Sequence, residues 1–139
     1  WSPSNRSAII RIPSHFRGEN YAKIKRIEFR APDPSSNPYL VFAAVQAAGL
    51  DGIKKKMDPG DPVYEDIYKM TKAQRTAKGI RDLPATLGEA LDELESDRKF
   101  LSPIFSNDTL DKLIEVERAD DHEVSIRPHP HEFYLYFDI

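Results

Sequence analysis

The sequence predicts an α+β fold in which two short strands precede a series of helices. Three observations carry that expectation. Residues 8–12 (Ala-Ile-Ile-Arg-Ile) and 24–30 (Ile-Lys-Arg-Ile-Glu-Phe-Arg) read as strands, with side chains sorted onto two faces at a period of two. Asn37 stands before Pro38 and an apolar run, a good cap followed by a residue suited to the first helical position. Further on, Thr86 and Glu89 have the spacing of a capping box and open a stripe of Leu87, Leu91 and Leu94.

The elements follow in order. In the first strand Ala8, Ile10 and Ile12 share a face; residues 13–23, with Gly18 and Asn20, read as a loop. In the second strand Ile27 and Phe29 share one face and Arg26, Glu28 and Arg30 the other, before Ala31-Pro32-Asp33-Pro34 ends it. The helix over residues 38–56 is apolar almost all round, so it is expected to be buried, with Gly49 and Gly52 admitting another backbone. Residues 57–85 hold five prolines or glycines and little periodicity, which predicts an extended surface loop with a short turn or two. After the helix opened by Thr86, Ser106 or Asn107 caps a third helix carrying Leu110, Leu113 and Ile114 and ending near Asp120-Asp121. The tail, residues 131–139, alternates weakly and gathers Phe133, Tyr134, Tyr136 and Phe137. Such an apolar tail is expected to dock onto a partner subunit.

Composition narrows the function classes. There is no cysteine, which excludes disulfides, thiolate metal sites and cysteine nucleophiles. No apolar run could span a membrane and no secretory segment opens the chain, so a soluble cytoplasmic protein is expected. The net charge of −3 hides an asymmetry: residues 1–30 hold seven basic side chains and two acidic ones. A basic end on an acidic chain implies an anionic ligand bound locally. Nucleic acid fits poorly, since only Phe16, Tyr21 and Phe29 accompany those charges as stacking platforms.

The Arg26-Glu28-Arg30 face has two readings. A charged strand face is commonly a solvated edge with weak ion pairs. Alternatively, guanidinium forks suit phosphates and carboxylates, and a carboxylate among them suits a hard cation, the combination that phosphoryl transfer uses. His129 and His131, either side of Pro130, are read as structural or surface residues, because two histidines are a weak metal signal.

Longer words favour the phosphoryl reading. Asn5-Arg6-Ser7-Ala8…Arg11-Ile12-Pro13, then Arg26-Ile27-Glu28-Phe29-Arg30-Ala31-Pro32-Asp33-Pro34…Asn37-Pro38-Tyr39-Leu40, resembles the last catalytic segment of type I (bacterial and archaeal) glutamine synthetase. The resemblance continues through Ala48-Gly49-Leu50-Asp51-Gly52-Ile53-Lys54, Asp82-Leu83-Pro84-Ala85-Thr86-Leu87 and Arg127-Pro128-His129-Pro130-His131-Glu132, covering nearly the whole chain. It implies that the chain is a fragment of a longer α+β catalytic domain, with residues 1–37 as active-site strands, 38–56 as a buried helix, 57–85 as an extended loop and 86–139 as a helical region with a docking tail.

The resemblance also implies roles. Glu28 corresponds to a ligand of Mg²⁺ or Mn²⁺ on the nucleotide side, and Arg30 to a contact for glutamate and the transferring phosphoryl group. Arg6 corresponds to an arginine near both the glutamate carboxyl and the ATP phosphates, Arg11 to an ATP-phosphate contact and Arg26 to the nucleotide mouth. Lys23 falls at a nucleotide-contact spacing, with Lys25 as its substitute. The activity implied is ATP-dependent ligation of ammonia to L-glutamate through γ-glutamyl phosphate, in a dodecamer of two hexamer rings. The alternatives are a ligase acting on a polyamine or a non-catalytic homologue. Tyr68 matches a tyrosine that some relatives adenylylate, while Thr71-Lys72-Ala73-Gln74-Arg75 resembles the subtype regulated otherwise, which favours an unmodified loop tyrosine.

Overall fold

The structure is a computed structural model describing residues 1–14 and 23–138, and the chain divides into two compact units, Trp1–Arg81 and Asp82–Ile139. In the first unit three short strands, β1 (Ser2–Pro3), β2 (Ile10–Ile12) and β3 (Glu28–Phe29), lie in the order β1-β2-β3. β1 runs parallel to β2, pairing Ser2 with Arg11 and Pro3 with Ile12. β2 runs antiparallel to β3, pairing Ile10 with Phe29 and Arg11 with Glu28. The α+β class expected from the sequence is the one observed, with three differences in the strands, the first being that the strand expected over residues 8–12 is confined to Ile10–Ile12. Residues 1–5 read as a loop, yet Ser2–Pro3 forms an edge strand, where a proline's missing N–H costs no ladder bond. The second strand is confined to Glu28–Phe29, although the Arg30 N–H still donates to the Ile9 carbonyl at 2.9 Å. Most of the expected loop over residues 13–23, namely 15–22 with Phe16 and Tyr21, lies outside the described residues.

Helix α1 (Pro38–Lys55) begins as expected: the Asn37 side chain accepts from the Tyr39 and Leu40 N–H groups, and Pro38 occupies the first turn. It ends on Lys56 in the left-handed region (φ 51°), with the Met57 N–H donating to the Gly52 carbonyl. The expected burial is not observed. Only Ala47 is buried, while Tyr39, Phe42 and Ile53 stand largely exposed, and a methyl group added at Gly49 or Gly52 would meet nothing within 4 Å. Burial needs a second surface, and among the described residues only a narrow strip around Ala47, with Val41, Ala43 and Ala44 half-buried, is covered.

Residues 57–85 are less extended than expected. A 3₁₀ turn spans Ile67–Lys69, capped by the Asp66 side chain, and helix α2 spans Lys72–Ala77. Thr71 and Gln74 form a full capping box there: the Thr71 hydroxyl accepts from the Gln74 N–H, and the Gln74 side chain accepts from the Thr71 N–H. These short helices rest on local polar caps rather than on apolar periodicity, which is why a periodicity reading misses them.

In the second unit, α3 (Leu87–Ser96) packs against α4 (Asn107–Ser125), and Leu91, Leu101, Leu110 and Ile114 form its core. Thr86 caps α3 by accepting from the Glu89 N–H, while Glu89 returns its bond to the Ala85 N–H, one residue before the cap. Ser106 caps α4. Gly88 marks a close approach, since a Cβ there would come within 3.1 Å of Asp121 Oδ2. Asp121 thus sits beside the first turn of α3, where a carboxylate is favoured. Contrary to expectation, α4 does not stop at Asp120-Asp121. Nothing there breaks a helix, and it continues to Ser125, with Ile126 as its C-cap two residues before Pro128. The tail is a helix too, α5 (Pro130–Tyr136), with His129 as cap and Pro130 in its first turn, so cap chemistry overrides the weak alternation. Among the described residues, no helix is long and apolar enough to cross a membrane.

Candidate active site

The register of β2 and β3 sets Arg11 directly opposite Glu28, and opposed charges on adjacent strands attract. Arg11 donates from Nε at 2.9 Å and Nη2 at 2.5 Å to the same Glu28 oxygen, Oε2. Arg26 Nη2 reaches the other oxygen, Oε1, at 3.3 Å. Glu28 therefore lies between two guanidinium groups, but its main partner is Arg11 across the ladder, not the neighbours on its own strand. The Arg11 hydrogen bonds hold the Glu28 carboxyl below the ordinary glutamate range, with Arg26 helping and burial opposing.

The other expected residues sit around this pair. Arg30 follows β3 directly and Arg6 lies in the turn after β1; both side chains are exposed and neither has a side-chain partner among the described residues. Lys23 and Lys25 are exposed. Lys25 and Arg26 line a recess of about 410 Å³ together with Ile12 and Ile27. Glu28 is thus in direct contact with both Arg11 and Arg26, while Arg6, Arg30 and Lys23 are carried by the adjoining segments and make no side-chain hydrogen bond or ion pair with them among the described residues.

A divalent cation asks for six oxygen ligands, or more, around a hard cage. Among the described residues no group of three or more His, Asp or Glu side chains could hold one. Glu28 is a single carboxylate, and both of its oxygens already accept from guanidinium groups. These residues do not by themselves make a metal centre. His129 and His131 form none either: the His129 Nδ1 accepts from the His131 N–H, and the His131 ring stacks on Tyr134.

Two residues of the site were not singled out from sequence. Asn5 Nδ2 donates to the Val63 and Glu65 carbonyls, each at 2.9 Å. Its Oδ1 accepts from the Ser7 N–H at 3.0 Å and from the Ser7 hydroxyl at 2.7 Å, and Ser7 Oγ accepts from the Ile67 N–H at 3.0 Å. The Asn-x-Ser spacing of a side chain folding back on the backbone two residues later was the available signal.

Comparison with known proteins shows the family. The family model described as glutamine synthetase, catalytic domain, matches residues 1–136. Glutamine synthetase of Sulfolobus acidocaldarius is 51% identical over 99% of this chain, that of Mycobacterium tuberculosis 45% over 100%, and that of Archaeoglobus fulgidus 43% over 100%. The chain covers only 28–29% of those proteins, less than a third of their length. Among solved structures, the GmaS/ADP complex superposes on the whole chain with a TM-score of 0.76 at 29% identity, over 30% of its own length.

Proposed function

Because this chain belongs to the glutamine synthetase catalytic-domain family, we propose that it supplies the anion-binding strands of an ATP-dependent glutamate–ammonia ligase. The reaction transfers the γ-phosphoryl group of ATP to the side-chain carboxylate of L-glutamate. Ammonia then attacks the acyl carbon, the carbon–oxygen bond to phosphate breaks, and glutamine and inorganic phosphate leave. Transfer of this kind asks a protein mainly for alignment and charge neutralisation. Arg11 and Arg26 face the nucleotide phosphates, with Lys23 or Lys25 beside them. Arg6 lies between the phosphates and the glutamate carboxyl, and Arg30 steadies glutamate and the moving phosphoryl group. The ADP held by the solved relative supports the nucleotide reading. The Mg²⁺ or Mn²⁺ expected from the resemblance belongs to the longer domain, to which Glu28 offers one carboxylate.

The observation that carries this reading is the division of labour among the arginines. Glu28 engages Arg11 and Arg26, whereas Arg6 and Arg30 are exposed and have no side-chain partner among the described residues, which leaves their guanidinium groups to meet anions. Arg30 also offers a clean test, because removing an exposed surface side chain typically changes stability by no more than about 0.5 kcal/mol. In a full-length catalytic domain containing this sequence, Arg30→Gln is expected to keep the unfolding midpoint and lose most glutamate- and ammonia-dependent phosphate release. The 139-residue chain alone is expected to give no such rate. Full activity in Arg30→Gln would refute the assignment.

A further inference from the structure

We infer that Asn5 and Ser7 are positioning residues for Arg6, holding it in place by tying both of its chain neighbours to residues 63–67. The inference rests on the ligase reading above, which gives Arg6 its anion to meet. An exposed arginine with no side-chain partner among the described residues owes its location there to its backbone, and here both flanking residues are hydrogen-bonded in place. The Asn5 amide uses all of its hydrogen-bonding capacity: two N–H donors go to the Val63 and Glu65 carbonyls, and the oxygen accepts twice from Ser7. Ser7 Oγ passes the chain on, donating to Asn5 and accepting from the Ile67 N–H. Both residues are half-buried while Arg6 between them is exposed. Residues 63–67 therefore act as the anvil against which Arg6 is set, and any shift there moves Arg6.

A purely structural stitch is the competing account, and Trp1 provides its control. Trp1 Nε1 donates to the Gly60 carbonyl at 2.8 Å, fastening the same loop without bonding to either neighbour of Arg6. The experiment uses a full-length catalytic domain containing this sequence and follows glutamate- and ammonia-dependent phosphate release. Ser7→Ala is expected to lower kcat/KM by roughly 10- to 100-fold, the loss that accompanies displacement of a charged group by about 1 Å. Ser7→Thr, which retains the hydroxyl acceptor for Ile67, is expected to recover most of it. Asn5→Asp, nearly isosteric but turning an acceptor toward the Val63 and Glu65 carbonyls, is expected to mimic Ser7→Ala. Trp1→Phe is expected to stay within about twofold of the parent, the usual scatter for an independent site.

The decisive comparison adds Ser7→Ala to Arg6→Lys. If Ser7 works through Arg6, the second substitution costs little once the first is made, so the losses are less than multiplicative. Multiplicative losses, or no loss in Ser7→Ala, would overturn the inference while leaving the ligase reading intact. Full activity in Arg6→Lys would instead overturn the role given to Arg6 itself. Should Ser7→Ala fold poorly, amide exchange at Ile67 in Asn5→Asp decides: unchanged protection together with unchanged activity would also overturn it.

Discussion

Glu28 is where the chemistry of single residues is most concentrated. Its carboxyl is held charged by a hydrogen bond from Arg11 first, and by Arg26 second, against the opposing effect of burial. The sign follows from the direction of the shift: a carboxyl with a depressed folded value contributes stability above its unfolded value, and loses it as pH falls through the folded one. Near neutral pH the pair is therefore intact, and acid alone dissolves it. An NMR titration should place the Glu28 midpoint below that of an ordinary glutamate, with Arg11→Ala moving it up more than Arg26→Ala does. An unmoved midpoint in Arg11→Ala would show that the cross-strand bond is not what holds the charge. In a full-length domain, Glu28→Gln should lose most activity, since it frees both guanidinium groups at once and removes the one carboxylate of the strand pair; extra Mg²⁺ or Mn²⁺ should recover part of it.

At the scale of elements, α3 and α4 show which forces dominate. Arg118 of α4 donates to Asp92 at 2.6 Å and Glu95 at 2.8 Å on α3, and both carboxylates hold its charge firmly in place. Arg118 is nevertheless 38% exposed, where such pairs contribute about 0–1 kcal/mol. Leu110 of α4, at 2% exposure, belongs to the buried core of this unit, and a leucine-to-alanine change in such a site costs about 2–5 kcal/mol. Denaturant unfolding should therefore show Leu110→Ala well below Arg118→Ala, and only the Arg118 effect should shrink as salt rises. Equal losses would mean that the ion pairs, not the leucines, hold the two helices together.

For the whole molecule the unusual quantity is exposed apolar surface. Phe42 of α1 is 70% exposed, and Phe133, Tyr134, Leu135 and Tyr136 of α5 and Phe137, its C-cap, are exposed too. Fully burying one such side chain is worth about 1.5–3 kcal/mol, so this much exposure favours contact with further protein. We propose that the tail joins subunits of a dodecamer built from two hexamer rings. Removing residues 132–139 from the full-length protein should then give single hexamers or smaller species by sedimentation. An unchanged assembly would show that the tail does not join the rings.

What the sequence determined by itself was local. Asn37-Pro38, Thr86 and Ser106 open their helices where a cap should, because one side-chain oxygen meeting an N–H two or three residues on needs no distant partner. Period-two patterning put Glu28 on the charged face, and the family words placed it among the arginines. Tertiary structure decided what depends on partners far along the chain. Register chose Arg11 over Arg30 as the main mate of Glu28, because a cross-strand neighbour lies closer than a residue two along the same strand. The Asn5 and Ser7 bonds to residues 63–67 bridge about sixty positions, a separation that no spacing rule reads. The exposure of α1 was likewise a matter of partners, because apolar sequence sets the tendency to be buried and only a second surface can satisfy it.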